Sequence, residues 1–167
     1  MATKARLPYP TRHDLPVATR AAMVSLLNAR LADAVDLRQQ AKQAHWNVKG
    51  PSFFQLHELF DKVAAGAEAA MDDLAERAVQ LGGIADGSVQ AVARATSLKP
   101  YPAGIAAGSD HVKAVAAAIA AAGTGIRAAI DEADRAGDKD TADLFTQISR
   151  ALDKLLWFVE AHLHANR

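Results

Sequence analysis

Residues 43–83, QAHWNVKGPSFFQLHELFDKVAAGAEAAMDDLAERAVQLGG, bring one helix into a tight reversal and carry a second helix away from it. The first helix, bearing His45 and Trp46, is expected to end at Val48-Lys49-Gly50. Glycine takes the left-handed conformation of a helix C-terminus without penalty, and Pro51 cannot continue a helix. Ser52 followed three residues later by Gln55 has the pattern of a capping box. It predicts a second helix running to Leu81, where Gly82-Gly83 stops it.

Four side chains able to hold a metal ion lie on this second helix: His57 and Asp61 four residues apart, then Asp72 and Glu76 four residues apart. At 100° per residue they fall at about 0°, 40°, 60° and 100°, one stripe of the helix surface. The rise from Asp61 to Asp72 is roughly 16 Å, so the two pairs cannot hold one ion within a single straight helix. Each pair is half a site.

Between the halves, Ala64-Ala65-Gly66-Ala67 and Ala69-Ala70 offer small side chains across which two helix backbones can approach, and the midpoint of the four positions falls at Gly66 and Ala67. Two copies of the helix crossing antiparallel about a two-fold axis there would bring His57 and Asp61 of one chain to Asp72 and Glu76 of the other. His45 lies about as far before the reversal as His57 lies after it, so an antiparallel helix pair sets the two imidazoles level. The shell is then two histidines and three carboxylates. Nitrogen and carboxylate oxygen without thiolate suit iron, manganese or zinc, and an incompletely filled shell leaves room for oxidant or water. Two plainer readings compete. Polar pairs on an alanine-rich helix also describe a solvated face, and a lone histidine such as His45 is commonly a core residue satisfied by a backbone carbonyl.

The rest of the chain reads as all-α. Its 167 residues suffice for one domain with a good core, half of them are hydrophobic and only 5% aromatic, the profile of an alanine-rich helical bundle. A first long helix is expected from Pro16 or Val17 to Val48, with Asp14 as its cap and Leu26, Leu27, Leu31, Val35 and Leu37 on its apolar face. From Gly83 to Gly108 the pattern weakens around Gly87, Pro100, Pro102 and Gly104, with one short helix at Val89 to Ala95. One long connection between the second and third long helices is what a ferritin-like four-helix bundle requires. The third long helix is expected from Ser109 to Ala136, packing Val112, Val115, Ile119, Ile126 and Ile130 inward; nothing in the sequence explains its Gly123 and Gly125. A break at Gly137-Asp138-Lys139 precedes a last helix from Thr141 to His162.

Absences narrow the function. There is no cysteine, hence no disulfide or thiolate site, which fits a reducing cytoplasm. No apolar run approaches the length of a membrane span and no signal-peptide core opens the chain, so a soluble, intracellular protein without membrane partners is expected. No nucleophilic triad, phosphate loop or Cys/His zinc cluster is present. No Glu is followed three residues later by His, so the usual intrasubunit di-iron ligand motif is missing, in agreement with a site at an interface. Lys and Arg balance Asp and Glu at 19 each, yet Lys4, Arg6 and Arg12 precede the first acid, Asp14. Pro8, Pro10 and Pro16 keep this stretch non-helical, and residues 1–15 are expected to be a flexible basic arm ahead of a bundle domain spanning 16–167. Its cations serve either solubility or DNA contact. His13 and His111 are isolated and expected to be exposed, while His162 and His164 belong to a fraying helix end. Trp46 and Trp157 read most simply as core residues.

The blocks QAHWN, LHELFD, MDDLAERAVQLGG and DKLLWFVE together resemble the Dps family, ferritin-like mini-cages named for DNA-binding proteins of starved cells, from about Leu26 to Glu160. The resemblance implies a hollow dodecamer. It implies that His45, His57, Asp61, Asp72 and Glu76 form ferroxidase sites between subunits, that iron is oxidised there from Fe(II) to Fe(III), with hydrogen peroxide preferred over oxygen, and that ferric mineral is stored inside. Zinc or manganese can substitute for iron in such a shell. The resemblance also implies that Trp46 and Trp157 lie near the metal as redox-active neighbours. Asp138, Asp140 and Asp143 open the last helix, where they suit capping and the helix dipole, while the resemblance implies that Asp138 and Asp143 line acidic pores. Weak DNA binding through the arm, a cytoplasmic or nucleoid-associated location and protection of DNA from oxidative damage belong to the same expectation. The alternatives are a DNA-compacting structural protein whose cage matters more than its chemistry, and a metal-free helical interaction module.

Overall fold

The first long helix, α1 (Val17–Asn47), packs along the second, α2 (Phe53–Gln80), and after a crossover containing the short α3 (Val89–Ala95) a second antiparallel pair follows, α4 (Gly108–Arg135) and α5 (Lys139–Glu160). A single 3-10 turn, Ala161–Leu163, closes the described chain. The structure is a computed structural model and describes residues 7–164. α1 also packs on α4 and α2 on α5, so the four long helices enclose one core, while α3 lies outside against α1. This is the ferritin-like four-helix bundle with a short helix in its long crossover.

Helical periodicity builds the core. Met23, Leu27, Leu31, Leu37, Ala41 and Ala44 face inward from α1, and Leu56, Phe60, Val63, Ala67, Leu74 and Ala78 do so from α2. Val112, Val115, Ile119 and Ile126 answer from α4, and Phe145, Ile148, Leu152 and Val159 from α5. Leu26, Val35 and Ile130, expected inside, are only half-buried at the margin of this core. α4 contains an 18-residue window of mean hydropathy 1.4, against the expectation that no run approaches a membrane span. Its apolar residues are spent on the bundle core, where burial against α1 and α5 satisfies the same hydropathy.

The crossover is tied down by polar side chains spaced along α1. Asn28 donates to Ile84 O at 2.9 Å and accepts from Asp86 N–H at 2.8 Å; Asp33 accepts from Ser97 N–H at 2.7 Å; Gln40 donates to Lys99 O at 3.0 Å. These bonds satisfy backbone groups that no helix or sheet would otherwise use.

Two expected caps are absent. Pro16, not Asp14, occupies the N-cap of α1, and among the described residues no side chain caps that helix; Ser52 precedes α2 without a side-chain cap bond, so the Ser52/Gln55 box does not form. Proline at the start of α1 needs no donor there, which removes part of the demand for a cap. The expected arm is anchored within its second half. Tyr9 N–H donates to Gly82 O at 3.2 Å, and Arg20, itself buried, donates to Leu15 O and Leu81 O. Gly82 has φ +88° and a Cβ there would stand 2.6 Å from Tyr9 O, so this glycine both turns the chain and admits the arm.

Candidate metal centre

The reversal after α1 sets the site. Val48 is extended, Gly50 takes φ +111°, and Lys49 N–H donates to Ala106 O at 3.0 Å, pinning the turn to the segment before α4. α2 therefore runs back along α1 with His57 beside His45. Each imidazole bonds the other residue's backbone carbonyl, His45 Nδ1 to His57 O at 2.8 Å and His57 Nδ1 to His45 O at 2.9 Å. The rings stack with centroids 3.6 Å apart. Because a carbonyl only accepts, both Nδ1 atoms carry hydrogen, and in the neutral rings both Nε2 atoms keep a lone pair. A histidine held by Nδ1–H to a carbonyl is the arrangement that orients a metal ligand.

Asp61 stands one turn further along α2. Its Oδ1 accepts from Lys42 Nζ at 2.6 Å and lies 4.0 Å from His45 Nδ1, with more than half its side chain exposed. The Lys42 hydrogen bond, outweighing the opposing effect of burial, holds this carboxyl below its ordinary value and keeps it ionised. In the sequence, the one signal for Lys42 is its spacing, three residues before His45 on the same helix face.

Asp72 and Glu76 are exposed on the continuation of that face, and among the described residues neither takes a hydrogen bond or ion pair. α2 is unbroken from Phe53 to Gln80, so Asp72 remains roughly 16 Å along the axis from Asp61. Among the described residues of one chain, no three His, Asp or Glu side chains converge on a common metal position. His45 and His57 are brought into contact and Asp61 lies 4.0 Å from His45 Nδ1 without the three converging on one position; Asp72 and Glu76 stay apart from them.

The small residues divide differently from expectation. Ala64, Ala67 and Ala70 point into the chain's own core, and Gly66 is turned to α5, where a Cβ would stand 2.7 Å from Leu155 Cδ1. The small residues exposed beside the ligand positions are Ala65 and Ala69. A second helix approaching this face would meet those two, with the register unchanged and the contact rotated around the helix.

Other expected residues fall as follows. Trp46 and Trp157 are not core residues: they are 59% and 65% exposed, because their positions lie away from the inward stripes of α1 and α5. Trp46 lies beside Lys42, whose Nζ is 5.9 Å from its ring centroid. His111 is not exposed but fully buried, and its Nδ1 meets the Tyr101 hydroxyl at 2.5 Å. His13 is partly buried and accepts from Leu15 N–H. His162 and His164 are exposed at the chain's last turn. Asp138 is 2% exposed, caps α5 through Thr141 N–H and pairs with Arg77 at 2.8 Å, whereas Asp140 and Asp143 are exposed. The capping reading of Asp138 accounts for its position, and of the two pore candidates only Asp143 faces solvent. Arg12 is exposed; Lys4 and Arg6 lie outside the described residues.

The sequence model of the ferritin-like domain matches residues 24–167. The DNA protection during starvation protein of Agrobacterium fabrum is 47% identical over 155 residues, which cover 93% of this chain and 96% of that one. Among solved structures, Dps from Microbacterium arborescens in its high iron form is 40% identical with TM-score 0.81, covering 87% of this chain and 94% of that one. DpsA14 from Streptomyces coelicolor is 32% identical with TM-score 0.90, covering 98% and 96%.

Proposed function

The chain belongs to the Dps family of ferritin-like proteins, and from that footing we propose that it is an iron-sequestering subunit that oxidises Fe(II) at sites shared between two copies and stores ferric mineral in a hollow dodecamer. The observation that carries this reading is the reciprocal bonding of His45 and His57, which leaves the Nε2 lone pair of each ring free for a metal one turn of helix from the ionised Asp61.

The residues divide the work. His45 and His57 bind the incoming Fe(II) substrate through nitrogen, and Asp61 supplies an anionic oxygen that favours the higher charge of the product. Lys42 holds Asp61 until iron arrives, so binding exchanges one cation for another at that carboxylate. Asp72 and Glu76 of a second copy complete the shell, because these exposed and unpaired carboxylates have no partner among the described residues of their own chain. Two Fe(II) ions together give two electrons to one hydrogen peroxide molecule, which takes up two protons and leaves as two waters. Consuming peroxide by two electrons avoids the one-electron split that releases hydroxyl radical, and that is the sense in which DNA is protected. Zinc or manganese would occupy the same nitrogen and oxygen donors as competitors.

The test is Fe(II) oxidation by the assembled protein, with peroxide and with oxygen in separate arms. Ferric product formed faster with peroxide, and lost in His45→Ala and His57→Ala, supports the reading. Equal rates with and without protein would remove it and leave a DNA-compacting or purely structural cage.

A further inference from the structure

Tyr101 and His111 form a buried pair that the iron chemistry above does not use. His111, in the first turns of α4, has no exposed surface, and its Nδ1 lies 2.5 Å from the Tyr101 hydroxyl, with ring centroids 6.1 Å apart. Burial pushes the Tyr101 phenol up to about 12, so it keeps its proton, and burial pushes His111 below the ordinary histidine value, so it stays neutral. With both groups neutral, the bond can run from the Tyr101 O–H to His111 Nδ1, with the ring hydrogen on Nε2. Among the described residues Nε2 has no hydrogen-bond partner. The backbone groups of Asn47 and Ile105, and the Asp110 carboxylate, favour the protonated ring, against Lys49 and the burial. The imidazole is thus a weaker base than an ordinary histidine, though one with groups around it that favour a proton.

We propose that Tyr101 is a redox-active tyrosine, and that His111 is the acceptor of its proton when a one-electron oxidant removes an electron. In that step the Tyr101 O–H bond breaks, an N–H bond forms at His111 Nδ1, and the electron reduces the oxidant. With hydroxyl radical as oxidant the products are a neutral tyrosyl radical, an imidazolium and hydroxide. Return of one electron from Fe(II) and of the proton from Nδ1 restores the starting pair and leaves Fe(III). The chain's other tyrosine, Tyr9, is 58% exposed and makes no such contact among the described residues.

The placement fits a trap for oxidising equivalents that escape the metal centre. Phe60, next to Asp61 on α2, packs on His111 with ring centroids 6.4 Å apart, so the pair stands on the core side of the helix face that carries His57 and Asp61. The source of hydroxyl radical rests on the proposed iron chemistry; the ability of the pair to be oxidised does not. A proton acceptor already in hydrogen-bond contact lowers the barrier to such a step, as positioned bases do for proton transfer.

The experiment therefore uses no iron. The full-length assembled protein is oxidised by flash photolysis of ruthenium tris-bipyridine with persulfate, frozen, and read by electron paramagnetic resonance. The expected result is a tyrosyl signal that persists in Tyr9→Phe and is lost in Tyr101→Phe. In His111→Gln, which can accept the hydrogen bond but not the proton, the yield should fall severalfold. A signal undiminished in Tyr101→Phe, or equal in His111→Gln, overturns the proposal. Should either variant fail to assemble, the wild type decides alone: its radical must show an exchangeable proton coupling across the bond to a protonated imidazole, and a radical without that coupling also overturns it. Ferroxidase activity enters none of these readings, so failure here and failure of the proposed function are separate results.

Discussion

The Arg30 guanidinium occupies the space where a side chain at Gly125 would begin: an added Cβ would overlap Nη1 and stand 3.0 Å from Cζ. Arg30 uses that space to reach Asp33 Oδ2 at 3.2 Å, an acid only 2% exposed whose other oxygen binds Ser97 of the crossover. Gly125→Ala gains about 1 kcal/mol of helix propensity, but it must push Arg30 from a buried carboxylate, and breaking such a pair costs about 3–5 kcal/mol. A net loss of about 2–4 kcal/mol in urea denaturation is expected. At Gly123 the new Cβ would first meet Arg127 Nη1 at 3.3 Å, on a side chain that is half exposed and can swing away. Gly123→Ala should therefore gain up to about 1 kcal/mol. Equal stability of the two variants would separate Gly125 from Arg30.

The separation of the two ligand pairs on α2 predicts complementation between chains. One variant carries His57→Ala and Asp61→Ala, another Asp72→Ala and Glu76→Ala, and each alone should be inactive. In a mixed two-fold pair one site loses both halves and the other is whole. Random co-refolding should restore about a quarter of wild-type Fe(II) oxidation. Mixed cages, verified by mass, that stay inactive would place each site within one chain.

Asp138 and Asp143 should respond differently to loss of charge. Asp138→Asn leaves Arg77, whose side chain is 11% exposed, facing a neutral partner. Stability should drop by about 3 kcal/mol, visible as a lower urea midpoint. Asp143 is exposed, and Asp143→Asn should leave stability within about 0.5 kcal/mol. If it lines an entry pore, iron uptake slows at low ionic strength, where field focusing is strongest, and the difference disappears in high salt. Uptake indifferent to Asp143 at every salt concentration returns it to the helix dipole.

DNA binding through the arm should be weak at physiological salt and should fall steeply as salt rises, since each phosphate contact releases counterions. Many arms on one cage would act together. Deleting the first twelve residues would also remove the Tyr9 contact to Gly82, so the cleaner variant is Lys4→Gln, Arg6→Gln, Arg12→Gln. A gel-shift series across salt should show it losing retention and salt slope; retention equal to wild type would exclude the arm.

His111 predicts acid sensitivity of a definite sign. The folded state holds this imidazole neutral below the ordinary value of about 6.5, while the unfolded chain protonates there. The stability it contributes is complete above about pH 6.5 and declines as pH falls below that, through the lowered folded value. Urea midpoints measured from about pH 7.5 to about pH 5 should fall more steeply in wild type than in His111→Gln. Parallel curves would show that His111 is protonated as readily folded as unfolded.

Local sequence determined the helices. Val89 to Ala95 emerged at its observed limits, the four long helices lie within about two residues of expectation, and Gly50 and Gly82 turn the chain where their neighbours required it. These signals are complete within a few residues: apolar spacing of 3.6, a missing N–H at proline, freedom of φ at glycine. The level placement of His45 and His57 was legible for the same reason, because one short reversal between two helices leaves a single antiparallel register. Tertiary structure decided what depended on distant partners. Arg77 claims Asp138 from 61 positions away, Arg30 claims the empty surface of Gly125, and Tyr101 meets His111 only because the crossover is held against α1 and α4. It also turned Gly66 and Ala67 toward the chain's own helices, leaving Ala65 and Ala69 exposed beside the ligand positions, and left Trp46 and Trp157 outside the core. A residue's type states what it can bond and how much apolar area it carries; which neighbour supplies the bond or covers the area is set by packing between helices, which no local pattern encodes.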